Sequence, residues 1–388
     1  MMAARVPLDA KRAFYAPQFQ IKLKGQNIGR EVIADVTEVT YTDDELNLDS
    51  FEFALGDWDP VERRPKYSSP WDKEGRPFKI GDKDAPNFEP GADVELYFSY
   101  MHEGDPVLMM KGEVVSITPS FPAAGPPVCR VRALNYLYRL QREKVTQTFT
   151  GSTMDVARQI ANATGIKEVK MPPGYDMGEQ ATHTLDEAVV YEEIVKRAQQ
   201  SGLVPWLEDV KGQPPILHFE APAGDSPVAS LIWGVNLTSF APQLSARGSV
   251  EKVVVRGVDP TKPAKEQQLE ESATWDDINI DKLALGPRGV ENLQVAVQGT
   301  VERIKDANVR TKEAAKERAK AEMIAIAKEL VRATGSAVGM PELRAGRVIE
   351  ILGLGVRFSG LYRLSQTTHT LGAGGYTVSF QAKKLVLV

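Results

Sequence analysis

The 388-residue chain has a single cysteine, Cys129. One cysteine can close no internal disulfide and build no thiolate zinc site, so a secreted disulfide scaffold is excluded and a reducing cytosol is expected. Long apolar runs are equally scarce. Stretches such as 323–327 and 385–388 fall far short of the roughly 20 residues that a membrane span takes. The charged start, 1–15, lacks the apolar segment of a signal peptide. Neither sign of charge dominates. Lys plus Arg number 47 against 52 Asp plus Glu, a net charge of -5, which argues against a dedicated nucleic-acid binder held by cations on phosphates.

Catalytic signatures are missing as well. There is no phosphate loop, no H-E-x-x-H helix and no nucleophile elbow. Gly353 and Gly355 form a G-x-G, but the next glycine, Gly360, breaks the dinucleotide spacing, and the segment lies between strand patterns. The four histidines, His102, His183, His218 and His369, share no helical or hairpin ligand spacing. Cys129 sits on a strand pattern and reads as a small buried filler. No enzyme activity, metal or cofactor is expected. A carboxylate pair suited to glycan hydrolysis stays open, because any pair chosen among so many acids would be arbitrary.

What is present is β alternation and three helical segments. Phe19 to Lys24, Val94 to Tyr100 and Tyr376 to Ala382 alternate apolar with polar, the pattern of strands with one wet face. Helical spacing spans 152–163, where Ser152 and Asp155 can cap and Gly165 can stop the helix. It spans 185–201, with Thr184 and Glu187 as a capping box, and 312–334, whose stripe runs Met323, Ile324, Ala327, Leu330 and Val331 before Gly335. Two stretches read as loop: the proline-rich 58–90 and the acidic 259–292. Both read as solvated excursions, though so long an insertion can also be functional.

Two windows share a layout. Gly91 opens a strand with Val94-Glu95-Leu96, and Gly346 opens one with Val348-Ile349-Glu350-Ile351. Gly112 and Gly360 each start a further strand, a Pro/Gly-rich or Gly-rich loop follows, and a return strand closes the window. From Gly112 to Tyr136 and from Gly360 to Lys384 the windows run in step without a gap. Either two ordinary meanders look alike, or a small β-barrel or sandwich is duplicated with helices between, an α+β organisation.

The C-terminal third holds the most specific pattern: Gly339-Met340-Pro341-Glu342-Leu343-Arg344-Ala345-Gly346, a strand, Gly360-Leu361-Tyr362, then His369 and Gly375-Tyr376-Thr377-Val378-Ser379-Phe380. Thr184 to Glu187 leading into a helix and Ser201-Gly202-Leu203 precede it. In this order the motifs resemble the late control D family of phage tail hubs. The same hub module occurs in type VI secretion spike proteins and contractile injection systems. The resemblance covers about 19–384; the insertion 58–90 has no place in the family pattern.

The resemblance implies an α+β chain with two similar small antiparallel β-barrel domains and inserted helical segments. The expected organisation is an arm at 1–17 and a first barrel at 18–148 with the insertion at 59–90. A helical α+β domain at 149–228 follows, then a second barrel from 229–262 and 340–388, interrupted by an acidic loop and long helix at 263–339. It further implies a homotrimeric baseplate hub with pseudo-six-fold symmetry, joining a hexameric tail tube to a trimeric spike. Its partners would be a separate-chain spike, the tube protein and other baseplate proteins, with no specific nucleic acid and no membrane insertion. Synthesis in the bacterial cytoplasm and assembly into a virion or tail-like particle are expected. Leu385, Val386, Leu387 and Val388 form a candidate spike-docking strand, or else complete their own barrel. A β-rich receptor or carbohydrate-binding module, with Tyr67 and Trp71 in an exposed aromatic cluster, is the alternative.

Overall fold

Alternation that buries one face of each strand builds the molecule outward from a single large sheet. In the computed structural model the chain is described for residues 16–45, 47–101, 103–175, 180–208, 215–221, 224, 226–259, 261–263, 267–278, 288–305 and 309–385. The first block of strands is β1 (Pro17–Leu23), β2 (Val36–Asp44), β3 (Ser50–Gly56), β4 (Asp93–Tyr100), β5 (Glu103–Ser120) and β6 (Val128–Asn135). In β4, Val94, Leu96, Phe98 and Tyr100 are buried while the residues between them are more exposed, as the alternation requires.

The middle of the chain carries β7 (Lys144–Gly151), α1 (Thr153–Ala163), β8 (Ala181–Val189), α2 (Val190–Gln200), β9 (Val204–Glu208) and β10 (Ile216–Glu220). It has its own core, in which Met154, Val156, Ile160 and Ile194 meet Leu217 and Phe219. Ser152 caps α1 as expected: its hydroxyl accepts from the Asp155 N–H at 3.2 Å, and the Asp155 carboxylate accepts from the Ser152 N–H. The expected helix over 185–201 starts later. Residues up to Val189 are strand, because Thr148 and Thr150 pair across the ladder with Thr184 and Thr182. Thr184 and Glu187 therefore form no cap; the N-cap is Val189.

The second block follows: β11 (Pro227–Ile232) and β12 (Leu237–Leu244). An inserted unit comes next, with β13 (Lys252–Val258), β14 (Gln268–Thr274), β15 (Val301–Lys305) and α3 (Lys312–Ala327). Then come β16 (Val331–Val338), β17 (Val348–Leu352), β18 (Gly360–Gly372) and β19 (Gly375–Lys384). α3 packs Ala315, Ala319, Met323 and Ala327 against the inserted sheet. The helix expected to reach 334 ends at Ala327, since Val331 and Ala333 alternate into β16. The acidic stretch 259–292 is not all loop, for β14 lies within it and pairs along the whole of β13. Nor is 58–90 a solvated excursion. Tyr67 and Phe88 join the main core, and Phe53 meets Phe88 edge-on at 5.2 Å. Its prolines still keep it to two-residue strands.

The strand order of the first block is β1-β4-β5-β6-β3-β2, and that of the second is β11-β17-β18-β19-β16-β12. Numbered within each block, the two orders are identical. Two β-bulges repeat as well. Val36/Glu38 on β2 matches Leu237/Ser239 on β12, and Val114/Ser116 on β5 matches Leu364/Gln366 on β18. One difference is that β1 runs antiparallel to β4 while β11 runs parallel to β17. The bulges equate Val114 with Leu364, so the windows are offset from the gapless match of Gly112 with Gly360 by two residues on this strand. Pairing of β2 with β18 fuses both blocks into one 13-stranded sheet. Among the described residues the pairing does not close into a barrel. The fold is α+β and mostly antiparallel.

Candidate interaction surfaces

The join between the blocks is built from side chains that each block alone would leave wet. β2 and β18 put Tyr41 opposite His369 and Asp43 opposite Thr367. Arg344, in the turn before β17, reaches across. Its Nε donates to Asp43 Oδ2 and its Nη2 to the Tyr41 hydroxyl, both at 2.5 Å, and Nη2 also donates to the Met109 carbonyl at 3.0 Å. Burial works against the Arg344 charge, but Tyr41 and Asp43 outweigh it and its pKa is raised. Asp49 stands beside this group. Desolvation, and then the Asp43 charge, push its carboxyl up to about 8.

His369 lies in the middle of β18 and is fully buried. Its Nε2 faces the Leu343 carbonyl at 2.8 Å, which can only accept, so Nε2 carries the proton and Nδ1 accepts from the Tyr376 hydroxyl at 2.8 Å. Burial, reinforced by Arg344, lowers its pKa to about 4. Phe98 packs edge-on to Tyr376 at 5.1 Å, and the Tyr100 hydroxyl donates to the Gly339 carbonyl at 2.8 Å. His369 is thus a satisfied structural residue. His183 and His218 lie on separate elements, and His102 falls outside the described residues. Cys129 is buried, as its strand pattern implied.

The proposed docking strand is described only at its start. Leu385 is half-buried, and its N–H donates to the Leu361 carbonyl at 2.9 Å, which extends the β18–β19 ladder by one residue. Val386, Leu387 and Val388 lie outside the described residues. Beside this point, Lys384 Nζ donates to the Arg357 carbonyl at 2.7 Å. Arg357 neighbours Val356, which is exposed. Trp233 and Val235, also exposed, lie in the β11–β12 turn. Asn236 fixes that turn by accepting from the Ile232 N–H at 2.7 Å and donating to the Ser230 carbonyl at 3.0 Å. The backbone of this turn meets the end of β17 at Trp233 N–H and Leu352 O, 3.3 Å apart. Sequence reasoning missed this apolar knob; Trp-Gly-Val at a turn was its only signal.

The aromatic cluster expected around Tyr67 and Trp71 does not form. Trp71 is exposed, but Tyr67 is buried and its hydroxyl donates to Asp35 Oδ2 at 2.5 Å. Burial explains the correction: that ring is part of the core rather than a surface platform.

A family model described as the Alg8 N-terminal domain matches residues 71–372. No curated protein matches the chain. Among solved structures the chain is similar to a tail protein from Neisseria meningitidis MC58, at 14% identity and a TM-score of 0.64, with 96% of this chain and 97% of that chain covered. It is similar also to the prophage MuSo2 43 kDa tail protein from Shewanella oneidensis, at 13% identity and a TM-score of 0.61, covering 95% and 98%. A chain of the Francisella PdpA-VgrG complex matches at 9% identity and a TM-score of 0.50, over 96% of this chain and 59% of that one. The fold is that of phage tail proteins.

Proposed function

We propose, from its tail-protein fold and its duplicated strand blocks, that this chain, which belongs to the Alg8 N-terminal domain family, is a structural hub of a contractile tail or injection device. In this reading it relates to the late control D proteins through the tail-hub fold. Three chains form a ring on the particle axis. Each supplies two similar β units, so the ring presents six similar units to a hexameric tube and three-fold symmetry to a central spike. The observation that carries this reading is the repeat of strand order and bulges between the blocks. A duplicated unit in a three-fold assembly supplies near-six-fold matching without a second gene product, and closed cyclic assembly needs no active site.

The partners are the spike, the tube protein and neighbouring baseplate proteins. The chain is made in the bacterial cytoplasm and built into the particle there. Among the described residues no helix is long and apolar enough to cross a membrane. The spike meets the end of the molecule where Leu385 leaves the sheet next to Trp233, Val235 and Val356, with the 385–388 segment added as a strand. Light scattering of the purified chain tests the assembly: three chain masses are expected, and a stable monomer at micromolar concentration that joins neither tube nor spike contradicts it. Deleting Leu385 to Val388 is expected to keep the trimer and lose spike binding.

A further inference from the structure

The two strand blocks meet inside the chain by one type of junction. The second strand of the first block, β2, lies antiparallel to the fifth strand of the second, β18. The converse pair is the second strand of the second block, β12, and the fifth strand of the first, β5. Among the described residues both have an open edge at the matching place. From Ser239 to Leu244, β12 pairs with β16 alone. β5 keeps backbone bonds to the segment leading into β4 as far as Val114, and from Ser116 to Ser120 it pairs with β6 on one side only.

The shared bulges fix the register of this converse pair. They equate Val39, Tyr41 and Asp43 of β2 with Phe240, Pro242 and Leu244 of β12. They equate Thr367, His369 and Leu371 of β18 with Ile117, Pro119 and Phe121. At the internal junction this row is largely shut away: Val39, Tyr41, Thr367 and His369 are fully buried, Asp43 is 8% exposed and Leu371 is half-buried. At the open edges the same row is partly uncovered: Ile117, Phe240 and Pro242 are half-buried, with Ile117 and Phe240 packed on the core, while Pro119 is exposed and Leu244 and Phe121 are 38% and 57% exposed. The ends of the row, which the internal junction covers or half-covers, are left in water at Leu244 and Phe121.

We infer that β12 of one chain docks against 116–121 of a second copy, with Leu244 facing Ile117, Pro242 facing Pro119 and Phe240 facing Phe121. The inference rests on the hub reading and names the surface by which copies of the chain meet. Pro242 and Pro119 have no N–H, so the central pair makes no ladder bonds and the apolar side chains carry the contact. Proline at both edges also bars indiscriminate strand addition. The contact is heterologous, β12 of one copy against β5 of the next. Three copies then hold three internal and three external junctions of one kind, and the ring closes.

The test uses the full chain with Leu244→Cys and Ile117→Cys, oxidised and run on a non-reducing gel. The native Cys129 is buried and its thiol is pushed up to about 12, so it stays out of the reaction. A covalent trimer that reductant dissolves is expected. Gln243→Cys with Ile117→Cys, a one-residue slip that turns one thiol to the other face, is expected to cross-link about tenfold less. A variant that scatters as a trimer yet gives no cross-link, or equal yields from the two pairs, overturns the inference and leaves the hub reading standing. A monomeric parent chain overturns both.

Discussion

Asp57 is fully buried, and its carboxylate accepts from the N–H groups of Lys66, Tyr67 and Ser68 at 3.1, 2.7 and 3.1 Å and from the Ser68 hydroxyl. That one side chain ties the proline-rich segment to the core. Asp57→Ala leaves these donors without an acceptor and is expected to cost about 3 kcal/mol, read as a lower urea midpoint at unchanged slope. At the junction, pH acts through two groups of opposite sign. Asp49 holds its proton up to about 8 in the folded chain, whereas an unfolded Asp loses it near 4. Its contribution is therefore complete below about pH 4 and is lost as pH rises to about 8. His369 is neutral in the fold down to about 4, so its contribution is lost as pH falls from about 6.5 towards 4. Asp49→Asn is expected to flatten the stability profile between about pH 7 and 8, where ordinary carboxylates do not titrate. An unchanged slope would mean that Asp49 is ionised in the fold. Neither Asp57 nor Asp49 was legible beforehand. Each is one acid among 52, and only the fold brings Lys66 to Ser68 around one and Asp43 and Arg344 beside the other.

At the scale of the element, local chemistry was legible where the partner lies nearby. Ser152 and Asp155 cap α1 across three residues, and Ser152→Ala is expected to cost about 1 kcal/mol in thermal unfolding. The strand alternation of β1, β4 and β19 was legible for the same reason. Longer-range partners overrode local pattern elsewhere. Thr184 is paired with Thr148 and serves a ladder rather than a helix start. Gly335, expected to stop a helix, lies inside β16, where a side chain would meet the Phe380 ring at 2.6 Å. Gly339 is tighter still: an added Cβ would lie 2.1 Å from the Tyr376 ring. Gly339→Ala must displace the ring that bonds His369 and is expected to cost about 2–3 kcal/mol with the near-ultraviolet aromatic signal altered.

For the whole molecule, the duplication was visible as a similarity of spacing around Gly112 and Gly360, but its register was not. Bulges set that register, and the one-residue phase shift that a bulge makes in the alternation looks the same in a sequence as the end of one strand and the start of another. The fusion of the blocks was also hidden, because β2 and β18 lie more than three hundred residues apart in the chain. Under the proposed docking of β12 on 116–121, the internal junction is the template for contacts between copies, and the exposed Leu244 and Phe121 belong to that contact. End-on images of the purified full-length chain, averaged without imposed symmetry, test the central claim most directly. A three-fold ring with six similar lobes around its axis is the predicted result, and single particles with one pair of lobes and no ring would contradict it.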